Sequence, residues 1–259
     1  MGRFQGMRSI LKGNRLEKAG AILAALAVWQ LAAMLLDNSL FLVTPFVVAR
    51  KLMTLVFTVD FWSAIAFTFL RIEIGFFLAL FLGTILAFAA GRFRVIGVML
   101  QPYMAVVKAT PVASFIILCL IWLNARNLAV FIAFLMGLPI IYTNVLQGFH
   151  AADIKLLEMA RLFDVGWRRK FRYIYIPQVK PYLLSACSMA VGLTWKAGVA
   201  AEVIGIPDGS IGEKLYNAKV YLNTGELFAW SVVIVVISIL FEKIFMHAAR
   251  ALFSYRRKR

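Results

Sequence analysis

Long apolar stretches alternate with short polar connections along most of this chain. A helix needs roughly 17 to 25 mainly apolar residues to cross the hydrocarbon core of a membrane. Six stretches have this character, at residues 19–36, 62–90, 95–123, 127–147, 182–201 and 227–249. The third contains Pro102 and Pro111, which predict that it begins with a bent or re-entrant piece. The pattern therefore predicts an all-α polytopic membrane protein with about six transmembrane helices.

Composition supports the same class. Hydrophobic residues make up 63% of the chain, charged residues 15%, and the mean hydropathy is +0.85. A soluble globular protein carries roughly a quarter charged residues, so this chain lies outside the soluble range. The net charge of +16 is explained by anionic lipid headgroups and by membrane topology, and we expect no nucleic acid partner.

The positions of the basic residues predict the orientation, because cytoplasmic loops carry the excess of Lys and Arg. Of the 28 Lys and Arg, nineteen lie on one side, in residues 1–18, 91–94, 148–181 and 250–259, and five lie on the other. Both termini are therefore expected in the cytoplasm. The chain is interpreted as one permease domain over residues 19–250, with a basic N-terminal segment at 1–18 and a basic tail at 251–259.

Residues 148–181, here called the basic segment, hold the most specific pattern. Asp153 is a good N-cap for a short helix that begins at Ile154. One side of this helix would carry Leu156, Met159, Ala160 and Phe163, and another side Glu158 and Arg161. The small Ala160 would let a partner approach closely, while Glu158 and Arg161 could make directional polar contacts. The segment is expected to lie across the membrane surface.

This helix must then end sharply. Asp164 tolerates a positive φ better than most residues, and Gly166 offers further freedom two positions later, so the turn could fall at either place. Residues 167–175 would form a return helix that carries the cations, and from Pro177 the chain would lead up into the fifth apolar stretch. An alternative is a basic amphipathic loop that simply lies on the inner leaflet.

The basic segment resembles the coupling motif of bacterial ABC-importer permeases, where a separate ATPase subunit grips the membrane subunit. That motif runs Glu-Ala-Ala, with glycine at its seventh position and an aliphatic-Pro pair at its nineteenth and twentieth. Glu158, Ala160 and Pro177 match in order and spacing, whereas Met159 replaces the second alanine and Asp164 replaces the glycine. The resemblance implies a type I ABC importer permease-like fold with a cytoplasmic coupling helix, and an ATPase-coupling set of Glu158, Met159, Ala160, Arg161, Asp164, Gly166 and Pro177.

Further matches resemble the nitrate/sulfonate/taurine branch of this family. Lys108-Ala109-Thr110-Pro111 precedes Ile121-Trp122, although Leu123-Asn124 stands where that branch usually has Phe-Gly. The candidate translocation pathway consists of Lys108, Thr110, Pro111, Trp195, Lys196 and Glu202. Two lysines facing one pathway would suit an anionic solute. Either lysine could instead extend its ammonium group to the membrane surface, or pair with Glu73 or Glu202.

The chain has no phosphate-binding loop of the Gly-x-x-x-x-Gly-Lys-Ser/Thr type and no reactive cluster of an intramembrane enzyme. Hydrolysis would be supplied by ABC ATPase subunits in the cytoplasm, and solute by an extracytoplasmic binding protein or lipoprotein. The resemblance also implies a second permease copy in the bacterial inner membrane. We expect no metal or other cofactor. The rival interpretation is an ion-coupled secondary transporter, in which Glu73 or Glu242 would serve ion coupling.

Overall fold

The structure, a computed structural model, describes residues 15–36, 38 and 40–255. Residues 1–14 and 256–259 lie outside the described residues. They contain some of the Lys and Arg from which the membrane orientation was predicted. Over the described range the chain is helical, and no strand occurs in it.

Long and short helices follow one another in chain order. They are α1 Arg15–Leu36, α2 Pro45–Val56, α3 Val59–Arg92, α4 Arg94–Ala109, α5 Val112–Cys119, α6 Ala125–His150, α7 Ile154–Leu162, α8 Trp167–Lys170, a π-helical turn Phe171–Tyr175, α9 Ile176–Gly205, α10 Ile211–Val220 and α11 Thr224–Tyr255. Within the described residues, five helices are long and apolar enough to cross a membrane, or up to six if the bent pair α4 and α5 counts as one span. This confirms the polytopic helical fold expected from the sequence.

The third apolar stretch is broken, and the break lies in its middle. α4 and α5 meet at an angle of 102°. Thr110 is extended there, with φ −78° and ψ 131°, because the ring of Pro111 disfavours a helical conformation in the residue before it. Pro102, by contrast, lies inside α4 without ending it. The predicted bend is therefore real, but it occurs at Pro111 and not at the start of the stretch.

The return helix expected at residues 167–175 is not a separate element. α8, the π-helical turn and α9 form one uninterrupted helical run from Trp167 to Gly205. Pro177 is the second residue of α9 and follows directly after the wider π-helical turn. The π-helical turn already interrupts the regular i→i−4 hydrogen bonds there, so the missing N–H of the proline does not end the helical run.

α6 forms the centre of the bundle and packs against α3 on one side and α9 on the other. Glycines allow these helices to approach closely. A Cβ at Gly75 of α3 would lie 2.5 Å from the carbonyl oxygen of Val130, and one at Gly198 of α9 would lie 2.7 Å from the Ile72 side chain. Without a strong hydrophobic driving force in lipid, such close backbone contacts hold membrane helices together.

The sequence interpretation missed α2, because residues 37–61 were taken as a connection. The side chain of Thr44 caps this helix by accepting from the backbone N–H of Val47, and Pro45 occupies its first turn. Threonine followed by proline is a recognisable start signal. The helix is also tied to α11, since Lys51 and Glu226 form an ion pair at 3.3 Å.

Candidate functional site

α7 forms as the sequence predicted. It begins at Ile154, and the backbone N–H of Lys155 donates to the Asp153 carboxylate at 2.9 Å. This bond satisfies one of the free N–H groups of the first turn. The short amphipathic helix of the basic segment is thereby confirmed as a structural element.

The end of α7 is a Schellman turn with an aspartate in the left-handed position. Asp164 has φ 45°, and its N–H donates to the carbonyl of Arg161 at 3.1 Å. The N–H of Val165 donates to the carbonyl of Ala160 at 2.9 Å. These two bonds are the pair that defines this type of helix end. Gly166 has an ordinary φ of −59°, so the sharp turn falls at Asp164.

The position of Ala160 corrects the expectation that it forms part of a free docking surface. Its side chain is only 2% exposed and packs with Ala152 and Ile174 of this same chain. The small side chain is needed because α7 lies directly on the π-helical turn. Ala160 therefore holds α7 in place from behind.

The opposite side of α7 and its end are open. Leu162 is 85% exposed and Phe163 76%, and Met159 is also exposed. Glu158 and Arg161 are exposed among these apolar side chains. Large apolar side chains that remain uncovered beside charged ones are typical of a surface that another protein or a membrane covers.

Aromatic contacts fasten the basic segment to the long helices. The rings of Phe149 in α6 and Tyr175 in the π-helical turn stack at 4.1 Å. The guanidinium of Arg92, at the end of α3, lies 4.8 Å from the centre of the Trp167 ring. The basic segment is therefore in direct contact with the ends of α3 and α6.

A buried polar cluster lies at the start of α10. The Thr68 hydroxyl donates to the Glu202 carboxylate at 2.7 Å and accepts from the N–H of Ile211 at 3.0 Å. The N–H of Gly212 donates to the same carboxylate oxygen at 3.3 Å. Thr68 and Glu202 thus bind the free N–H groups at the α10 N-terminus, where the helix dipole also favours negative charge.

Two glycines make this arrangement possible. A Cβ at Gly212 would lie 2.3 Å from the Cβ of Glu202, so any larger residue would push α10 away from α9. Gly209 has a φ of +80°, which favours glycine. The Ser210 hydroxyl then accepts from the N–H of Glu213 at 2.9 Å and completes the cap.

The candidate pathway residues do not come together as one surface. Trp195 and Glu202 are buried among the helices, and the Trp195 indole N–H donates to Glu73 at 2.9 Å. Both are enclosed within this one protomer, so their part in a pathway stays a prediction. Glu242, the other carboxylate considered for ion coupling, accepts a hydrogen bond from the Ser188 hydroxyl.

The remaining pathway residues are accessible but separate. Lys108 is exposed, and its ammonium group lies 3.4 Å from the Thr143 hydroxyl. Thr110 and Pro111 form the bend, and the Thr110 hydroxyl donates back to the carbonyl of Val106 at 2.8 Å. Lys196 lies on an exposed face of α9. Neither Lys108 nor Lys196 forms an ion pair with a carboxylate within the described part of the chain.

Comparison with known families identifies the protein class. Residues 79–259 match the family described as binding-protein-dependent transport system inner membrane component. The chain belongs to this family. It is accordingly an inner membrane permease subunit of an ABC importer, whose ATP hydrolysis belongs to a separate subunit and whose system includes a solute-binding protein.

Curated relatives place the permease in the nitrate, sulfonate, taurine and bicarbonate branch. It is 23% identical over 234 residues to the putative aliphatic sulfonates transport permease SsuC of Bacillus subtilis, a match that covers 89% of this chain and 84% of the relative. It is 24% identical over 230 residues to the taurine transport permease TauC of Escherichia coli, covering 86% and 83%. The nitrate import permease NrtB of Synechococcus elongatus is 30% identical over 149 residues, covering 57% and 53%.

A solved structure shares the fold of the permease. It is described as the crystal structure of an amino acid ABC transporter with histidines, and it aligns with a TM-score of 0.53 at 20% identity. The alignment covers 74% of this chain and 90% of that chain. The predicted fold class of a type I importer permease is therefore confirmed.

Sequence reasoning assigned no capping role to the residues that bind the N-terminus of α10 in the permease. Ser210 and Glu213 stand three apart, the spacing of a capping box, and the N–H of Gly209 donates to the Glu213 carboxylate at 2.6 Å. That signal was present in the sequence. The partnership of Thr68 with Glu202 had no local signal, because 134 positions separate the two residues.

Proposed function

We propose that the permease binds its ATPase through α7 and carries a small anion along a pathway completed by a second copy of itself. The observation that carries the docking proposal is the arrangement of α7. Ala160 and the Asp164 turn fix the helix from behind, while Leu162 and Phe163 remain uncovered. A rigid support with an open apolar face can transmit the motion of a partner.

The orientation proposal follows from charge. The basic segment carries seven Lys and Arg, and Arg92 and Arg94 lie at the junction of α3 and α4. Both regions meet at the Arg92–Trp167 contact, so they lie at one end of the bundle. The excess of positive charge favours the cytoplasm for that end and for both termini, with anionic lipid headgroups around it.

A second permease copy is proposed to cover the exposed face of α9. Ser185, Met189 and Lys196 follow one another along this face, and a Cβ at Gly192 would meet no heavy atom within 4 Å. Charged and small residues in a membrane helix favour a protein or a water-filled cavity over lipid. This face could therefore join two permeases around a shared pathway.

The proposed solute is a small anion such as an organosulfonate or nitrate. Relatives of the permease are named for aliphatic sulfonates, taurine, nitrate and bicarbonate. Lys108 and Lys196 are accessible cations in helices that lie within or beside the membrane. The family's solute-binding protein would deliver the anion, and ATPase closure would move α7 and open the pathway alternately to the two sides.

Co-purification of the permease with its ATPase tests the docking proposal. Leu162→Glu adds a negative charge to the open side of α7, and Glu158→Lys reverses a charge there. An unpaired charge at an interface costs about 2 to 5 kcal/mol. We expect both variants to enter the membrane normally and to lose the ATPase and ATP-driven uptake.

The matched control is Val220→Glu, which also puts a carboxylate at an exposed apolar position, but at the last residue of α10. It should retain the ATPase. If the Leu162→Glu and Glu158→Lys variants keep the parent stoichiometry of ATPase and the parent rate of uptake, α7 is not the coupling element.

A further inference from the structure

A cavity of about 650 Å³ lies between the end of α3, the length of α4 and the second half of α6. Sites for small molecules typically enclose about 300 to 1,000 Å³, so a nitrate or a short organosulfonate would fit with water around it. The cavity belongs to one protomer. Its walls are formed by residues 90–92, 94, 97, 98, 101, 104, 105, 108, 142, 143, 146 and 150.

The ionisable side chains that line this cavity are all basic. Arg92, Arg94 and Lys108 contribute positive charge, His150 adds a titratable imidazole, and no Asp or Glu is among the lining residues. Neutral hydrogen-bonding groups come from Gln101, Tyr142 and Thr143. Cations that line a low-dielectric cleft without carboxylates create a positive potential there, which attracts anions.

Lys108 is held in a position to bind such an anion. The Thr143 hydroxyl donates its proton to the carbonyl of Pro139 at 2.6 Å, which leaves its oxygen free to accept from the Lys108 ammonium at 3.4 Å. This contact uses one of the three N–H groups of the lysine. The described residues place no carboxylate in an ion pair with Lys108, so its charge stays available to a bound anion.

One wall of the cavity touches the basic segment. Arg92 lines the cavity, and its guanidinium lies 4.8 Å from the centre of the Trp167 ring. Trp167 begins the helical run that leads into α9. The same arginine can therefore respond to an anion on one side and to the position of the basic segment on the other.

We propose that this cavity is an anion-binding site of the permease itself, present once in each protomer, and that Lys108 is its central ligand. The proposal rests on the proposed function and deepens it, because it locates the solute near the coupling end of the membrane region. Small oxyanions and organosulfonates are the expected occupants, bound by Lys108 with Gln101 and Thr143, and Arg92 links their presence to the basic segment.

Equilibrium binding of radiolabelled methanesulfonate and of nitrate to the permease–ATPase complex tests the site. The complex is placed in phosphatidylcholine nanodiscs without the solute-binding protein, so that only the membrane subunits can bind the probe. We expect the parent to bind at least one of the two anions. Lys108→Met should weaken that binding about tenfold or more, because a charge-assisted hydrogen bond is lost.

Lys243→Met is the matched control, since it removes a lysine from a long helix outside this cavity and should leave binding unchanged. Thr143→Val, which removes the hydroxyl that positions Lys108, should weaken binding less and serves if the first variant fails to assemble. The proposal is overturned if neither anion binds the parent, or if Lys108→Met binds like the parent.

Lipid is the other source of an anionic group at this depth. Adding phosphatidylglycerol to the nanodiscs should leave the affinity for the probe nearly unchanged. Full displacement of the probe by that lipid would assign the cavity to headgroup phosphate and overturn the proposal. Failure of the proposed function has a different signature: the Leu162→Glu and Glu158→Lys variants would keep the ATPase and ATP-driven uptake. Failure of this inference leaves the loss of both in those variants unchanged.

Discussion

Two short helices, α7 and α10, each connect long helices of the permease, yet they are fixed in opposite ways. The N-terminus of α7 is capped by its own neighbour Asp153, through the N–H of Lys155. The N-terminus of α10 also has a local cap at Ser210, but Thr68 and Glu202 of two other helices bind its first N–H groups as well. The cap of α7 is local, whereas α10 adds a buried network that joins distant parts of the chain.

The difference indicates which helix is free to act on a partner. The first residues of α10 are buried, and Lys214 ties the helix further to Asp60 at 2.6 Å. α7 buries Ala160 but leaves Leu162 and Phe163 open. A helix that is locked on several sides serves the framework, whereas a helix that is supported from behind and open in front can be gripped and moved.

The largest effect is expected at the close approach between α10 and α9. In Gly212→Ala, the new methyl group would lie 2.3 Å from the Glu202 Cβ and 2.6 Å from the Val203 nitrogen, so backbone must shift. We expect a loss of about 3 kcal/mol or more in the free energy of unfolding, with poor recovery from the membrane.

Fluorescence-detected size exclusion after heating measures this loss. Gly166→Ala is the control, because a Cβ there would meet nothing within 4 Å and φ is −59°. It adds the same methyl group at the α7 end and should leave the thermal midpoint unchanged. An equal loss in both variants would contradict the comparison.

A second prediction separates the two sides of α7. Ala160→Glu buries a carboxylate against Ala152 and Ile174, so the basic segment should open locally at a cost of about 2 kcal/mol. Leu162→Glu places the same charge in solvent and should not open the segment. Limited proteolysis of the purified permease tells them apart, with faster cleavage near residue 160 expected only for Ala160→Glu. Equal cleavage of the two variants would show that the packing of Ala160 against Ala152 and Ile174 does not stabilise α7.

The third prediction concerns the hydroxyl that binds α10 to α3. Thr68→Val keeps the shape of the side chain, but leaves the N–H of Ile211 and one bond of Glu202 unsatisfied. We expect the free energy of unfolding to fall by about 1 to 3 kcal/mol, because a buried group without a partner loses its hydration. The thermal midpoint should fall for Thr68→Val and stay near the parent value for Thr68→Ser. If valine is tolerated as well as serine, the cap on α10 contributes little.

Local features of this permease were predictable from the sequence. The Asp153 cap and the start of α7 at Ile154 depend on residues a few positions apart, and the same local pattern narrowed the turn to Asp164 or Gly166. The bend at Pro111 follows from the proline ring itself. Hydrophobic length was enough to place the long helices, because the membrane fixes how many apolar residues a span needs.

Long-range partners were not predictable. The indole of Trp195 and the carboxylate of Glu73 are 122 positions apart, and nothing near either residue indicates the bond. Ala160 was assigned to a free surface because the helix pattern alone does not show which side meets the π-helical turn. The continuity of α8 with α9 was hidden by Pro177, which usually marks a boundary but here follows a π-helical turn that accommodates its missing N–H.

The smallest effect is expected at the turn that ends α7. Asp164 adopts φ 45°, which costs less for glycine than for any residue with a Cβ, so Asp164→Gly should stabilise the turn by up to about 1 kcal/mol. The gain should appear as slower hydrogen exchange at the Val165 N–H, which donates to the Ala160 carbonyl at 2.9 Å. Asp164→Ala keeps a Cβ without the local polar group and should speed exchange at the same amide. If glycine instead speeds exchange, the Asp164 carboxylate itself holds the turn, and α7 depends on a side chain at both ends.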